Sequence, residues 1–571
     1  MSGAVRRPLF VATILTGSFL LFMVQPMVAR MALPRLGGAP NVWNSAMLVY
    51  QALLLAGYGY AHWLSRMAIR RQATIHLILL VVAGLTLPIT LANLPPPQTG
   101  QEALWVPLLL LATIGPVFFL VSAQAPLMQK WFSADSRAGE PWALYAASNL
   151  GSFGGLIAYP VVVEPLLSID AQSLGWSAGY GLLIVLIALA AWARWSAAPA
   201  SALSEAPQSV ATERPGWRRI ALWLVLAAVP SGLMLSTTTH LTTDIFAMPL
   251  LWVIPLGLYL LSFAAAFSDR EAFSRAIGAA TPVLLLLAGG LAMASKSSGT
   301  MLEAIASVAL LFAVSVALHR RMYDLRPDAS QLTLFYLIMS AGGALGGVFT
   351  ALIAPLVFDW VWEHPLLVFA AAALIPMTGH FDWRRMRGLD SGMARIGAVV
   401  VAGVAILLAW QLLAVTSLDD PGQAKGWLVM GLALTGILLT PWRPLYLLVL
   451  ALLMLAQGGV QTAYASLDGA RTRSYFGIYT VRDYADLKLR TLAHGTTLHG
   501  QQSLDPARKH EPLTYYGKGS GIGLALMAAP QIFGDKARVG IVGLGTGTLA
   551  CYHRPGQAWH YFEIDPAVLE L

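Results

Sequence analysis

A chain of 571 residues with 57% hydrophobic and 11% charged side chains departs far from a soluble protein, where about a quarter are charged. Its mean hydropathy of +0.65 and its many long apolar runs place it in a bilayer. The net charge of +8 does not require a nucleic-acid partner, since membrane proteins gather Lys and Arg in cytoplasmic loops, and the lone Cys551 excludes an internal disulfide or a cysteine metal cluster.

Arg6 and Arg7 precede the first apolar run and no small-residue cleavage site follows, so the N-terminus reads as an uncleaved first helix. Apolar segments predict helices over 8–28, 42–64, 74–93, 104–124, 141–163 and 174–194, within a first repeat spanning 1–195. Residues 196–217, rich in Ala, Ser and Pro, read as a linker. A second repeat over 218–380 is predicted to hold helices at 218–238, 247–268, 277–296, 301–320, 331–357 and 364–379. Further runs at 394–416, 426–441 and 443–459 fill 393–460. The last two are short and split by "TPWRP", so they are two thin spans or one broken hairpin.

Loop charge gives the orientation. Arg66, Arg70 and Arg71, then Lys130 and Arg137, then Arg214, Arg218 and Arg219, then Arg320, Arg321 and Arg326, then Arg384, Arg385 and Arg387 fall on alternate loops, taken as cytoplasmic. The loop with Arg30 and Arg35 is the exception. The repeats share a motif: "SNLGSFGG" (148–155) and "SAGGALGG" (340–347) both read S-x-x-G-x-x-G-G within the fifth helix of their set. Small residues at this spacing let helix backbones approach in lipid, and matched placement in two halves marks transporter-type repeats.

Thr237, Thr238, Thr239, His240, Thr242, Thr243 and Asp244 crowd one junction between apolar helices. A helix continuing through it would put His240 and Asp244 on one face. Asp244 and Glu164 are candidates for a membrane vestibule that takes a cation, or else ordinary residues of an outer loop. Asn149, Tyr145, Gln25 and Gln124 are buried polar candidates that helix-to-helix hydrogen bonding explains equally well.

With "WF" at Trp131–Phe132, the stretches "PWALYAASNLGSFGGLIAYPVVVEPLL" and "TTTHLTTDIFAMPLLWVIPLGLYLLSF" make the membrane part resemble bacterial fused major-facilitator-like/spermidine synthase proteins. The resemblance implies a multi-pass protein of the bacterial inner membrane.

Composition changes near residue 465, and 465–571 read as a soluble domain. "RSYFGIYTVRDYADLKLRTLAHGTTLHGQQ" alternates as a β-hairpin or meander. An apolar helix follows, then the buried strand "KARVGIVGLG". Gly543, Gly545 and Gly547 come directly after that strand, where a side chain would block a cofactor from the backbone. Twenty residues beyond Gly543, "WHYFEIDP" places Glu563 where a carboxylate grips ribose hydroxyls, and Asp565 suits a helix cap. G-x-G-x-G points to an adenosyl-sulfonium cofactor rather than a dinucleotide.

The fold class expected is therefore a polytopic α-helical membrane protein, two six-helix repeats with two or three extra spans, followed by a truncated α/β Rossmann-like domain of the methyltransferase/spermidine-synthase type with an N-terminal β-hairpin. The spermidine-synthase resemblance implies decarboxylated S-adenosylmethionine or S-adenosylmethionine as cofactor, without metal. It implies Gln501 or Gln502 as further cofactor contacts, and places Tyr515 and Tyr516 at the domain entry. Thr546 stands where that family has an acid for the amine-bearing tail. The family's catalytic aspartates come later than residue 571, so the chain reads as a fragment with its catalytic residues unassigned. Three functions follow: a membrane-bound aminopropyl- or methyltransferase, a transporter or sensor of polyamines or other small cations with a regulatory tail, or an inactive scaffold. Cofactor supply tips the tail slightly toward the cytoplasm; counting fifteen spans puts it outside.

Overall fold

The computed structural model describes residues 3–98, 100–133, 142–195, 215–245, 251–268, 271–294, 301–327, 331–377, 391–416, 422–495 and 497–571. The first set of helices is α1 (Gly3–Leu36), α2 (Pro40–Leu64), α3 (Ile69–Gly84), α4 (Glu102–Ser133), α5 (Trp142–Ala158), the short α6 (Glu164–Leu166) and α7 (Ile169–Trp195). The second is α8 (Trp217–His240), α9 (Val253–Ala266), α10 (Glu271–Leu287), α11 (Met301–Asp324), α12 (Leu332–Val348), the short α13 (Ala354–Val357) and α14 (Glu363–Leu374). Then come α15 (Ser391–Thr416), α16 (Gly422–Leu438), α17 (Arg443–Met454) and α18 (Val460–Leu467). Among the described residues nine helices are long and apolar enough to cross a membrane, and three shorter apolar ones accompany them.

Several boundaries differ from the sequence expectation: α1 runs on to Leu36 and α4 to Ser133, while two helices end early. Helix α3 ends at Gly84 rather than 93, because Pro88 and its neighbours leave the helical path. The irregular stretch after it is tolerated where side chains satisfy its backbone: Ser173 Oγ donates to Ile89 O (2.7 Å), and Ala92 N donates to Thr113 Oγ1 (3.1 Å). Helix α10 ends at Leu287, before Gly289 and Gly290, whose bare Cα atoms pack against Val368 and Leu453.

The two sets pack alike. The fifth helix lies on the first in each, α5 on α1 and α12 on α8, and the second lies on the fourth, α2 on α4 and α9 on α11. Across the halves, α2 meets α12 and α5 meets α9, as a two-fold relation requires. The glycines explain the closeness. A Cβ on Gly151 or Gly155 would collide with Leu15 O or Phe19 O, and one on Gly342 or Gly346 with Leu224 O or Ala228 O. In both halves the fifth helix then passes into a π-helical turn, Tyr159–Val163 and Phe349–Ile353.

One face collects basic residues at helix ends. Arg219 Nη2 and Trp223 Nε1 donate to Leu325 O (3.0 and 3.1 Å), and Arg443 donates to Ala373 O and Ile375 O (2.9 and 2.8 Å). These cations cap the exposed carbonyls of α11 and α14.

The tail builds two small sheets. Strands β1 (Arg471–Arg473), β2 (Ile478–Tyr484), β3 (Leu489–His494) and β4 (Thr497–Ser503) form an antiparallel meander in sequence order. After α19 (Gly521–Phe533), strands β5 (Arg538–Val542) and β6 (Ala558–Phe562) pair in parallel, Val542 opposite Phe562, ahead of α20 (Ala567–Glu570). The helix expected between β5 and β6 is a single 3-10 turn, Thr548–Tyr552, cut short by Pro555 and Gly556.

The meander is bolted to the membrane face opposite the basic one. Arg473 makes a two-pronged ion pair with Glu363 (2.8 and 3.0 Å), and both side chains are at most 2% exposed. Arg473 also donates to Trp360 O (2.9 Å), and the Arg471 guanidinium lies 5.3 Å over the Trp360 ring. From the first half, Asn41 Nδ2 donates to Ser474 O (3.3 Å), and Tyr475 OH donates to Ser45 Oγ (3.1 Å). The tail therefore docks on the face opposite the one where Arg219 and Arg443 gather. Arg443 and Thr462 lie at opposite ends of the last helical pass, beside Ala373 and Met293 respectively, so this pass crosses and delivers the tail to that face.

Two outcomes are expected. Gly346→Leu should lower the apparent melting temperature in detergent by several degrees, as overpacking costs about 1–3 kcal/mol, whereas Gly278→Ala, with no atom within 4 Å, should not lower it. Arg473→Met should leave Glu363 buried and unpaired at a cost of about 3–5 kcal/mol, and limited proteolysis should then release the tail; the double change with Glu363→Met should recover much of the loss.

Candidate functional site

Two cavities are candidates for the functional site. The first, about 180 Å³, sits between the halves, lined by Gln25 of α1, Tyr50, Gln51 and Tyr58 of α2, Gln124 and Gln129 of α4, Asn149 of α5, Tyr259 of α9 and Tyr336 of α12. None of its described lining residues carries a charge. Gln51 Nε2 donates to Ser231 Oγ (2.9 Å), but Gln51 Oε1, Gln124 Nε2 and Ser340 Oγ are buried with no partner among the described residues. Such atoms cost free energy until a ligand or water meets them. A smaller pocket shares Tyr58, Pro126 and Tyr336 and carries the space toward Lys130 and Ser65 on the basic face.

On the other side the cavity is sealed. Trp43 and Trp252 stack across the halves at 6.1 Å, and Asn44 Nδ2 donates to Thr239 Oγ1 (2.9 Å). His240 stacks on His364 at 4.6 Å, and His364 meets Ser236 (3.2 Å). His240 thus packs within the second half and lines neither cavity. Helix α8 does continue through the threonines: Thr238, Thr239 and Thr242 turn their hydroxyls back to carbonyls four residues earlier, and a π-helical turn follows at Leu241–Ile245. The side chains of Asp244 and Tyr145 lie outside the described residues.

Beyond the seal lies the second cavity, about 790 Å³, with the membrane helices as floor and the tail as roof. Its floor includes Trp43, Trp252, Thr238, Thr242 and the ion pair of Arg30 with Glu164; its roof includes Gly543, Gly545, Glu563, Tyr515, Tyr516, His494 and His499. The ion pair explains the one exception to the loop-charge rule, since Arg30 is neutralised by Glu164 while Arg35 donates to Ala92 O (3.3 Å). It also means that Glu164 does not stand as a free carboxylate for a cation. Glu164 and Asn149 line different cavities, so the proposed transport residues are not brought together.

The glycine turn takes the geometry expected of it. Gly543, Gly545 and Gly547 have φ of 87°, 58° and 67°, a region open to glycine. Glu563 locks the turn: its Oε2 accepts from Leu544 N (2.7 Å), and its Oε1 from Ile564 N (2.8 Å) and Asp565 N (3.0 Å). Oε2 keeps acceptor capacity toward the cavity. Asp565 accepts from Ala567 N (3.0 Å) at the start of α20 and from Ser474 Oγ, tying the turn to the meander.

The remaining expected contacts are not at the cleft. Gln501 pairs with Thr491 and Gln502 with Arg490 in the meander, and neither lines the cavity. Thr546 bonds Thr548 Oγ1 (2.7 Å) and fills the space left by Gly500. The residues present therefore suit a nucleoside, but supply no acid where the family holds the cationic tail. Trp43, Trp252, His494 and His499 were not found from sequence; no local pattern distinguishes them from core or turn residues. Arg30, the odd charge on its face, was the available signal.

No protein-family profile matches the sequence, and no curated protein matches it. Among solved structures, a D-xylose–proton symporter is 14% identical, with a TM-score of 0.42 over 65% of this chain and 97% of that one. A POT family transporter in complex with a thioalcohol-conjugated peptide is 13% identical, TM-score 0.40, over 65% and 94%. A bacterial homologue of the human drug peptide transporters PepT1 and PepT2 is 12% identical, TM-score 0.36, over 81% and 99%. Overlaps this loose do not establish a shared fold.

The histidine pair gives the tail an expected sensitivity to acid. His494 stacks between Tyr479 (4.7 Å) and His499 (5.7 Å). Burial lowers the pKa of His494 first, and His499 lowers it further; burial likewise lowers that of His499, with Glu563 opposing. A depressed folded value means stability is full above the ordinary 6.5 and falls as pH drops through the folded value. Melting temperature should thus decline on acidification below about pH 6.5, and the double variant His494→Gln with His499→Gln should flatten that slope.

Proposed function

We propose that this chain carries a small, uncharged polar solute across the membrane by alternating access, and that its tail is a nucleoside-binding module on the outer face. The observation that carries the first part is the cavity between two like-packed halves. It leads toward the basic face, taken as cytoplasmic, and is closed on the other by contacts made between halves: Trp43 on Trp252, and Asn44 on Thr239. A site at a repeat interface, reached from one side at a time, is what such a cycle needs. The amides and tyrosines on its wall, some with unused hydrogen-bonding capacity, favour a neutral polar solute over a polyamine. A cation would find no carboxylate on the described walls.

The second part rests on the glycine turn and Glu563, which offer open backbone and a carboxylate edge to an adenosine sugar. That same geometry favours a second reading, a membrane-tethered transferase of the spermidine-synthase type using S-adenosylmethionine or its decarboxylated form. Such a cofactor would supply an electrophilic carbon beside its sulfonium; Glu563 would hold the sugar, and Tyr515 and Tyr516 would flank it. Thr546 in place of an acid weighs against aminopropyl transfer.

Proteoliposome counterflow distinguishes these functions. Saturable uptake is expected for at least one neutral solute in a panel of sugars, amides and nucleosides, and Gln124→Leu should lower it about tenfold, the loss of one hydrogen bond of about 1.4 kcal/mol. Uptake of spermidine alone, lost in Asp244→Asn, would replace the neutral solute by a cation. Flux of nothing in the panel would end the transport reading.

A further inference from the structure

The floor of the tail's cleft and the outer seal of the membrane cavity share two residues. Trp43 of the first half and Trp252 of the second stack to close the seal, and both line the cleft beneath Gly543, Gly545 and Glu563. Trp252 is 4% exposed, and its Nε1–H has no hydrogen-bond partner among the described residues. The residue borders the cleft while its donor is closed off from solvent, so a ligand oxygen that displaces the ring slightly would satisfy it. The tail itself straddles both halves. It holds the first through Ser474 with Asn41 and Tyr475 with Ser45. It holds the second through Arg473 with Glu363, and through the hairpin tip Gly495, whose φ of 57° and bare Cα let it lie directly against Thr243 O.

We propose that the cleft is a composite regulatory site for an adenosine-type nucleoside, gripped by the tail and by both halves of the membrane domain at once, so that occupancy holds the outer seal shut. This rests on the nucleoside reading of the tail. The sugar lies at Glu563 and the glycine turn, and an oxygen of the ligand accepts from Trp252 Nε1. Outward opening must part α2 from α8 and α9, which pulls Trp43 away from Trp252 and dismantles the floor. A ligand that touches both therefore binds the closed state better, and by linkage the closed state binds the ligand better.

The test uses the full chain in nanodiscs with adenosine as probe. Isothermal titration should show binding by the unaltered chain, loss in Glu563→Gln, and a drop of five- to tenfold in Trp252→Phe, which keeps the ring and removes the donor (about one hydrogen bond). In a Cys551→Ser background, Asn44→Cys with Thr239→Cys reports on the seal, since the native side chains bond at 2.9 Å. Adenosine should speed disulfide formation across that pair severalfold, and the cross-linked protein should bind adenosine at least as tightly. Unchanged affinity in Trp252→Phe together with an unchanged cross-linking rate would overturn the composite site while leaving a nucleoside-binding tail. No binding by the unaltered chain would remove the nucleoside reading, and this inference with it.

Discussion

The pairing of Arg473 with Glu363 fixes where everything outside the membrane sits. Both groups are stripped of water, and desolvating them costs several kcal/mol per ion, which only close two-pronged geometry and further hydrogen bonds can offset. Here the Trp360 carbonyl supplies an additional acceptor to the guanidinium, and Arg471 lies over the same residue's ring. A pair with such demands tolerates one register of β1 against α14. With β1 set, the next residues reach Asn41 and Ser45, the β3–β4 turn reaches Thr243, and the glycine turn faces the helix ends rather than open water. Orientation of the cleft is a consequence of one buried charge pair.

Inside the bilayer the governing constraint is different. Lipid gives helices no hydrophobic reason to associate, so association depends on close packing. Glycines at 151, 155, 342 and 346 let the fifth helix of each half press onto the backbone of the first. Each half is thereby a stiff unit, while contact between halves is made by fewer, separable groups: ring stacking, one amide–hydroxyl bond, one amide–serine bond. Rigid units joined by weak seams are what relative rocking requires. The absence of charge on the described cavity wall suits this, because a neutral wall imposes no large desolvation cost in either position.

The sequence made the helices, the repeat, the meander and the glycine turn legible because each is written in local periodicity or spacing. Asp565 was readable as a cap, and it accepts from Ala567 N. What could not be read depends on residues far apart in the chain. Arg473 and Glu363 are 110 residues apart, and Asn44 and Thr239 are 195 apart. The threonine-rich stretch before Asp244 shows the limit from the other side: its polarity suggested a vestibule, but Thr238, Thr239 and Thr242 spend their hydroxyls on their own helix. After Gly547 the chain makes only a 3-10 turn, because Pro555 and Gly556 follow it closely.

Placing the tail opposite the basic loops changes what a nucleoside site there can do. On the proposed orientation, an enzyme spending a cofactor made in the cytoplasm would need that cofactor carried across the bilayer to reach Glu563. Trp43 and Trp252, which stack across the halves, form part of the floor of the cleft. A nucleoside arriving from outside meets the same two residues from above. On the proposed reading, access to the cleft and the state of the seal both involve this one pair of rings, which is what would couple occupancy to opening.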